Sequence, residues 1–400
     1  MPQRTFHDIL AALDDLVQQS GGPEATPIAG AHSDSRRIAK HDCFVAVRGA
    51  RQDGARFIPA ALEAGASAIV AESAMDVPAG VAWARVSDGY AAAGRIAECV
   101  AGHPANTMRL LGITGTNGKT TCAFLLEDIL RAAGRRTGMI GTVHYRIGDT
   151  LTEAERTTPM PFELQRMIAD LREAGTDDLV LEVSSHALAQ QRLGTPRFAA
   201  ALFTNLSGDH LDYHGDMDTY YETKKRLFTE LLAPGAPALI NVDDPYGKRL
   251  HSELANSATV DALSFSTADD GSADVRMTVR SGGVSGGTAE LSWSGGRLTL
   301  ETPMIGQYNL YNASMVAALA LQLGIGPAVV AERVRAFHGA PGRLQPIRQP
   351  GKPAVFVDYA HTDDALNNVL KALRAVREGD LAVVFGCGGD RDRTKRPRMA

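Results

Sequence analysis

The sequence predicts an α/β protein with a central, mostly parallel sheet, and three observations support this prediction. An apolar run at 110–114 leads into a glycine-rich turn at 115–118, and an apolar-periodic helix follows over about 122–133. Further apolar runs alternate with helical segments along the middle of the chain. One of these runs, at 178–183, leads into polar side chains, where an open parallel sheet places its ligands.

The turn at 115–121 has the chemistry of a phosphate-binding loop. Gly115 and Gly118 let the backbone close around phosphate oxygens, and the N-terminus of the following helix favours an anion. Lys119 is expected to reach the outer phosphates, and the Thr120 hydroxyl to hold a magnesium ion. The spacing is tighter than the general Walker A pattern, because Ile113 stands where that pattern has a glycine. The alternative is a glycine turn whose lysine faces solvent.

The composition argues against a nucleic-acid-binding protein and against a membrane protein. The 400 residues suggest two or three domains, and 44% hydrophobic with 22% charged residues is ordinary for a globular chain. A net charge of −5 gives no indication of a nucleic-acid partner. With the phosphate loop, four cysteines without metal-ligand spacing indicate reduced thiols in the cytoplasm. We expect neither a signal peptide nor membrane insertion, because no segment is long and apolar enough.

Residues 1–104 are predicted to form a small α/β domain. Apolar residues recur at helical spacing from Phe6 to Val17 and predict a helix there. Short buried strands are expected at 43–47, 68–70 and 81–83, with a helix at 57–64. The polar stretches at 33–36 and 49–54 are typical of turns when each is considered alone.

Residues 105–338 are predicted to form the central domain around the phosphate loop. The apolar runs expected to form its further buried strands lie at 178–183, 199–204 and 238–241. Between 273 and 303 the pattern changes to alternation with glycine-rich turns, which predicts a small antiparallel patch. A helix is expected over about 309–323.

Residues 339–400 are predicted to begin a third, Rossmann-like α/β domain after a linker near 339–343. Its expected elements are a strand at 354–358, a helix at 363–377 and a strand at 381–385. Two strands are too few to close a doubly wound sheet. We therefore expect the chain to be a C-terminally shortened version of a longer protein.

Three side chains after the loop are candidates for binding a metal ion or a substrate. Glu182 ends an apolar strand, where phosphate-loop enzymes place a magnesium-binding carboxylate; the alternative is a strand-end glutamate facing water. His210 lies in a cluster with Asp212 and His214 that could bind a metal or a substrate, or form a capped turn. Lys224 lies on the apolar face of a helix, so burial would favour its neutral amine, which can take up carbon dioxide as a carbamate. A snorkelling lysine is the alternative that periodicity alone favours.

Together these motifs resemble the Mur ligase family over essentially the whole chain. The resemblance is carried by Gly115-Thr116-Asn117-Gly118-Lys119-Thr120-Thr121, Glu182-Val183-Ser184-Ser185-His186, Thr204-Asn205-Leu206, Asp209-His210-Leu211-Asp212-Tyr213-His214-Gly215, Asn309 with Asn312, Gly342-Arg343-Leu344 and Val357-Asp358-Tyr359-Ala360-His361-Thr362. The Asp-His-Leu-Asp-Tyr-His-Gly run and the Ser-Ser-His strand end are similar to the family member that adds the third peptide residue. The implied fold is the three-domain architecture of that family.

The resemblance also implies roles for individual residues. For ATP it implies phosphate contacts from Gly115, Thr116, Asn117, Gly118, Lys119, Thr120 and Thr121, nucleotide contacts from Asn309 and Asp358, and a γ-phosphate contact from Arg343. For two magnesium ions it implies Thr120 with Glu182, and Glu182 with His210 and a carbamylated Lys224. For the UDP end of the substrate it implies Ser33, Ser35, Ala50, Arg51 and Gln52, and for the muramoyl-dipeptide Thr157, Thr158, Ser184, Gln190 and Arg192. Lys119, Glu182, His210, Lys224 and Arg343 form the implied catalytic set.

The implied reaction is ATP-dependent addition of a diamino acid to a UDP-N-acetylmuramoyl-dipeptide in the cytoplasm. The sequence leaves the amino acid open between meso-diaminopimelate and L-lysine. Rival interpretations are another Mur ligase or a folylpolyglutamate synthetase, and a phosphate-loop nucleotide-binding module without ligase chemistry.

Overall fold

The computed structural model describes residues 4–49, 52–255, 259–268, 271–283, 286–347, 349, 352–361, 363–377, 379–387 and 395–400. Its α-helices are α1 (Phe6–Leu13), α2 (Ile58–Glu63), α3 (Gly89–Val100), α4 (Lys119–Ala132), α5 (Pro161–Glu173), α6 (Ser185–Ala189), α7 (Leu211–His214), α8 (Met217–Arg226), α9 (Pro245–Ala255), α10 (Gln307–Gln322), α11 (Pro327–Ala336), α12 (Asp363–Val376) and α13 (Lys395–Met399). A π-helical turn, Leu227–Leu231, extends α8.

The strands follow the alternation expected from the sequence. They are β1 (Arg4–Thr5), β2 (Val17–Gly21), β3 (Pro27–Ile28), β4 (Gly30–His32), β5 (Asp42–Ala46), β6 (Ala68–Ala71), β7 (Ala82–Val86), β8 (Arg109–Thr114), β9 (Thr137–Ile140), β10 (His144–Ile147), β11 (Thr150–Glu153), β12 (Asp178–Glu182), β13 (Phe198–Phe203), β14 (Pro237–Asn241), β15 (Asp261–Ser266), β16 (Val275–Gly283), β17 (Gly286–Trp293), β18 (Gly296–Thr302), β19 (Gln345–Ile347) and β20 (Val355–Val357).

The chain forms two compact units. The first comprises Met1–Arg109, Thr158–Thr176 and His186–Arg197, and the second comprises Leu110–Thr157, Asp177–Ser185 and Phe198–Ala400. The first unit is therefore discontinuous in sequence. The domain boundaries at 104 and 338 stay a prediction.

The first unit is built on a five-stranded sheet in the order β2-β7-β6-β5-β4. Strands β4, β5, β6 and β7 are parallel, and β2 joins β7 in antiparallel orientation. Apolar side chains of α1, including Phe6 and Ile9, are fully buried against α3 and the sheet. The three predicted strands are confirmed. The predicted N-terminal helix is confirmed over Phe6–Leu13, but Val17 begins strand β2 instead of ending the helix. Because β4 and β5 are parallel neighbours, their carboxyl ends lie at the same edge of the sheet.

The second unit is built on an eleven-stranded sheet in the order β11-β10-β9-β12-β8-β13-β14-β15-β16-β17-β18. Strand β8 lies near its middle, next to β12 on one side and β13 on the other. The pairs from β13 to β16 are parallel, as is β9 with β12, while both edges are antiparallel. Leu111 and Ile113 of β8 pack with Leu125 and Leu126 of α4 in the main core. The predicted mostly parallel sheet is confirmed.

Three features of this sheet differ from the sequence prediction. The buried strand β9, which pairs with β12, was not predicted. The antiparallel patch is an extension of the central sheet, because β15 pairs with β14 on one side and with β16 on the other. Strand β15 was not predicted, since only its last three residues are buried and its apolar signal is short. At the opposite edge, the unpredicted hairpin β10–β11 is mostly exposed and polar.

The segment after 338 also differs in part. The strand expected at 354–358 and the helix expected at 363–377 are present as β20 and α12. Residues 381–385 are not a strand, and Val384 is fully exposed. A strand needs a neighbour for its backbone groups. Among the described residues, β20 pairs in antiparallel orientation with β19, which lies just after the predicted linker. No described strand pairs with 381–385.

All four cysteines are free thiols. Cys43, Cys99 and Cys122 are buried, and burial raises the pKa of each of these thiols. Across the part of the chain that the structure describes, no helix has both the length and the apolar character needed to cross a bilayer.

Candidate active site

The phosphate loop connects β8 to α4 and needs glycine at two positions. Gly115 and Gly118 have φ values of +140° and +89°, a region that L side chains rarely adopt. A Cβ at Gly115 would collide with Thr204 Oγ1, and a Cβ at Gly118 would lie 2.7 Å from Asn312 Oδ1. Helix α4 has Gly118 as its N-cap without a side-chain capping bond, so the first-turn N–H groups are oriented for an anion.

The segment after β13 holds the loop in place. The Thr116 N–H donates to the Asn205 carbonyl (2.8 Å), and the Asn117 N–H donates to Asn205 Oδ1 (3.0 Å). The Thr204 hydroxyl donates to the Asn117 carbonyl (2.6 Å). These bonds fix the loop conformation from a neighbouring strand. Thr204 and Asn205 belong to a motif of the sequence, but the motif alone did not indicate this role.

Lys119 folds back over the loop. Its Nζ donates to the carbonyl oxygens of Gly115 (2.9 Å) and Thr116 (2.8 Å). Burial lowers the pKa of this lysine, and the nearby Arg343 lowers it further. The solvent-facing alternative for Lys119 is wrong for this structure, because the ammonium group lies on the loop itself.

Glu182 is fully buried beside the loop, at the end of β12. Its Oε2 accepts hydrogen bonds from the hydroxyls of Thr120 (3.0 Å) and Thr142 (2.9 Å), and its Oε1 accepts from the Thr142 N–H (2.9 Å). Arg343 Nη2 donates to the same Thr120 hydroxyl at 3.1 Å. The structure therefore brings Thr120, Glu182 and Arg343 together, and adds Thr142, which no sequence motif indicated.

Lys224 is 1% exposed on the inner face of α8, and its Nζ donates to the Gly115 carbonyl at 2.9 Å. Lys119 and Lys224 thus converge on one carbonyl oxygen. Burial holds the pKa of Lys224 well below its usual value, and the charge of Lys119 adds to that effect. The ammonium group does not snorkel to water. Its neighbour Lys225 faces outward and pairs with Glu222 and Glu253.

His210 and His214 lie on the same side of the loop as Lys224. His210 has a left-handed backbone (φ +56°), and its Nε2 is 3.4 Å from Asp209 Oδ2. Burial lowers the pKa of His210, with further lowering by the two lysines. Burial also lowers the pKa of His214 to about 4, and its Nε2 lies 3.0 Å from Ser185 Oγ. The latter contact was not foreseen.

The oxygen atoms beside the loop fit one magnesium ion. Thr120 Oγ1 and Glu182 Oε2 are 3.0 Å apart at the N-terminus of α4. Magnesium takes oxygen ligands, commonly one or two from the protein and the rest from phosphates and water. In the described ranges, no three His, Cys, Asp or Glu side chains cluster as a ready-made metal site. The donor set therefore suits an ion that phosphate oxygens complete.

A cavity of about 850 Å³ lies beside the loop. The lining residues that matter here are Thr204, Asn205, Tyr308, Tyr311 and Asn312. This volume is in the range of small-molecule sites. The Tyr308 hydroxyl is buried and has no hydrogen-bond partner among the described residues.

Two predicted nucleotide contacts already have protein partners. Asn309 is 3% exposed, and its Nδ2 donates to the Ile305 carbonyl at 2.8 Å. The Asp358 carboxylate accepts from the N–H groups of Leu344 (2.7 Å) and Ala360 (2.8 Å). Their nucleotide roles stay predictions.

In the first unit, three residues predicted for the muramoyl-dipeptide lie together. Arg192 Nη1 donates to the Thr158 carbonyl at 2.8 Å. Its Nε and Nη2 donate to Gln190 Oε1 at 3.0 and 2.8 Å. In the second unit, Thr157 Oγ1 lies 3.1 Å from Thr142 Oγ1, and Ser184 follows the strand that carries Glu182.

Three of the residues predicted for the UDP end follow strands of the first unit. Ser33 and Ser35 follow β4, and Gln52 follows its parallel neighbour β5. Ala50 and Arg51 lie outside the described residues. Their roles stay predictions.

This fold and site define a phosphate-loop nucleotide-binding α/β protein with a buried, loop-adjacent carboxylate. Family models match the chain in three places: Mur ligase family, catalytic domain at 27–108, Mur ligase middle domain at 113–320, and Mur ligase, glutamate ligase domain at 342–400. The chain belongs to the Mur ligase family.

Individual relatives agree with this assignment. The chain is 42% identical over 397 residues to the UDP-N-acetylmuramoyl-L-alanyl-D-glutamate–2,6-diaminopimelate ligase of Geobacter metallireducens, covering 97% of this chain and 76% of that protein. It is 39% identical over 402 residues to the enzyme of the same name from Streptomyces coelicolor, covering 100% and 78%.

Solved structures show the same architecture. A structure of a UDP-N-acetylmuramoyl-L-alanyl-D-glutamate–2,6-diaminopimelate ligase matches with a TM-score of 0.79 at 32% identity, covering 99% of this chain and 79% of that one. MurF from Acinetobacter baumannii matches with a TM-score of 0.65 at 19% identity, covering 94% and 78%, which shows the fold alone. The expected family architecture is confirmed.

Proposed function

We propose that this ligase adds meso-diaminopimelate to UDP-N-acetylmuramoyl-L-alanyl-D-glutamate, with ATP as the energy source. The convergence of Lys119, Thr120, Glu182, Lys224 and Arg343 on one phosphate loop carries the proposal. The names of relatives about 40% identical over nearly the whole chain support the substrates. ATP and UDP-sugars are cytoplasmic metabolites, so the reaction belongs there.

The chemistry follows from the poor reactivity of a carboxylate towards amines. An oxygen of the D-glutamyl carboxylate attacks the γ-phosphorus, the bond to ADP breaks, and an acyl phosphate forms. The amine of the incoming amino acid then attacks the acyl carbon, phosphate leaves, and the nitrogen loses a proton. Phosphoryl transfer of this kind depends on positioning and charge neutralisation.

The side chains around the loop supply both the positioning and the charge neutralisation that phosphoryl transfer needs. The first-turn N–H groups of α4 and the Lys119 ammonium bind the phosphates, and the Arg343 guanidinium stabilises the γ-phosphoryl group. Thr120 and Glu182 would hold a magnesium ion, which would neutralise phosphate charge. For a second ion we propose Glu182, His210 and a carbamylated Lys224. The neutral Lys224 amine forms the carbamate by bonding to carbon dioxide and releasing a proton, which adds a negative ligand.

The remaining predicted residues complete the proposal. We assign the nucleotide to the loop-adjacent cavity with Asn309 and Asp358. We assign the muramoyl-dipeptide to Thr157, Thr158, Ser184, Gln190 and Arg192, and the UDP end to Ser33, Ser35, Ala50, Arg51 and Gln52.

Phosphate release in the presence of UDP-N-acetylmuramoyl-L-alanyl-D-glutamate tests this function. We expect ATP consumption only when both the sugar-peptide and meso-diaminopimelate are present, with a product heavier by one diaminopimelyl residue. Turnover with L-lysine instead identifies the lysine-adding counterpart. Turnover with neither, despite ATP binding, identifies a nucleotide-binding module and overturns the proposal.

The Tyr308 hydroxyl offers a test of the nucleotide position. Because this buried hydroxyl has no partner among the described residues, we expect Tyr308→Phe to leave the melting temperature unchanged or raised. If the nucleotide supplies the missing partner, ATP affinity falls about three- to tenfold, as measured by calorimetry. Tyr311→Phe is the matched control: its hydroxyl donates to Asn241 Oδ1 (2.6 Å), so its loss lowers the melting temperature. Unchanged ATP affinity in Tyr308→Phe contradicts the assignment.

A further inference from the structure

One aromatic side chain touches both the phosphate loop and the buried lysine. Tyr220 is 1% exposed on the inner face of α8. Its hydroxyl lies 3.2 Å from the Thr116 hydroxyl of the loop. The Lys224 Nζ lies 4.8 Å from the centroid of its ring. The ring therefore connects the helix that carries Lys224 to the loop that carries the phosphate contacts.

The two histidines of the site pack on the same ring. His214 stacks on Tyr220 with a centroid distance of 4.9 Å and an interplanar angle of 30°. His210 meets it edge-on, at 6.4 Å and 87°. His214 is itself fixed by its contact with Ser185 (3.0 Å). Each contact is small by itself, but together they constrain the ring from the loop, from two histidines and from the Lys224 side chain.

We propose that Tyr220 is a positioning residue for the ligase reaction: its ring holds Lys224 and His210 in place, and its hydroxyl sets the distance between α8 and the phosphate loop. This role for Tyr220 rests on the proposed ligase function, because Tyr220 acts through the phosphate loop and through Lys224. The two parts of the side chain have different roles. The ring positions Lys224, and the hydroxyl contacts the phosphate loop.

The neighbouring tyrosine provides a matched control. Tyr221 is 0% exposed on the same helix, but it faces α9. Its hydroxyl donates to Glu253 Oε2 (2.9 Å), and the Arg249 guanidinium lies 4.2 Å from its ring centroid. Substitutions at Tyr220 and Tyr221 therefore remove the same atoms from the same helix at equal burial. Only Tyr220 is directed at the site.

The test compares Phe and Leu variants at both positions. In Tyr220→Phe the ring remains, so we expect kcat to stay near wild type while the KM for ATP rises about three- to tenfold from loss of the loop contact. In Tyr220→Leu we expect kcat to fall about 100-fold, the scale for a catalytic group displaced by about 1 Å. The carbamate signal of Lys224, followed by NMR with ¹³C-bicarbonate, should weaken in parallel. Tyr221→Leu should lower the melting temperature at least as much while retaining kcat.

The outcomes separate the inference from the function on which it rests. If wild type consumes no ATP with the sugar-peptide and amino acids, the proposed function fails, and this inference fails with it. If wild type is active and Tyr220→Leu loses no more kcat than Tyr221→Leu, only the positioning role is overturned. A Tyr220→Phe variant with an unchanged KM for ATP removes the hydroxyl part of the proposal. If Tyr220→Leu does not fold, Tyr220→Met, a larger apolar side chain without a ring, replaces it in the comparison with the same two outcomes for kcat.

Discussion

Replacing Lys224 by alanine is expected to reduce ligase activity by at least about 100-fold, the scale for loss of one transition-state stabilising group. The lysine is buried, its Nζ contacts the Gly115 carbonyl, and its pKa is held low by burial and by Lys119. A lowered pKa increases the fraction of neutral amine, which is the form that reacts with carbon dioxide. The alanine variant loses both the amine and the carboxylate that it would carry.

Added carboxylate distinguishes a carbamate from a simple ammonium contact. If a carbamate acts at this position, acetate or another short carboxylate should enter the space left by Lys224→Ala and restore part of the phosphate release. Lys225→Ala is the control, because Lys225 faces outward and pairs with Glu222 and Glu253. It should keep near-wild-type turnover and show no response to acetate. Full activity in Lys224→Ala would end the carbamate hypothesis.

Glu182→Gln is expected to have a comparable effect, about 100- to 1,000-fold on kcat. The substitution keeps the size of the side chain but removes the charge that would hold magnesium. One glutamine oxygen can still accept from Thr120 or Thr142, so the fold should survive. The magnesium concentration needed for half-maximal activity should rise, and a titration of phosphate release against magnesium measures it.

A second buried glutamate provides the comparison. Glu127 is 5% exposed on α4 of the same unit, where it accepts from the Thr137 hydroxyl (2.7 Å) and pairs with Arg146 (3.2 Å). Glu127→Gln should lower the melting temperature without changing the magnesium dependence. Equal magnesium dependence in Glu182→Gln and wild type would show that Glu182 does not hold the ion.

Local pattern was sufficient for the parts of the site that lie on one continuous stretch. The loop could be predicted because its glycines, lysine and threonine are consecutive and follow an apolar run into β8. Helical periodicity placed Lys224 on the apolar face of its helix, but it did not distinguish a buried amine from a snorkelling one. Glu182 was a candidate because it ends an apolar strand, where phosphate-loop enzymes place a magnesium-binding carboxylate, and the structure places that strand next to β8.

Contacts made across the sheet could not be predicted in this way. Thr142, Asn205 and Tyr220 are common residue types whose importance comes from strand order and from the packing of α8 on the loop. The strand prediction at 381–385 was wrong for a related reason. Its apolar run satisfies the local criterion for a strand, but strand formation depends on a partner that the pattern itself cannot supply.

The central place of β8 also constrains how the molecule folds. Thr114, at its end, donates to the carbonyl of Val183, 69 positions further along the chain, and accepts from Thr204, 90 positions away. Such long sequence separations make assembly slow, since the chain must close large loops before either partner is gained. During synthesis the nucleotide loop therefore gains its two flanking strands, β12 and β13, only after residues 178–203 have left the ribosome, and recovery of ATP binding would report a late step of refolding.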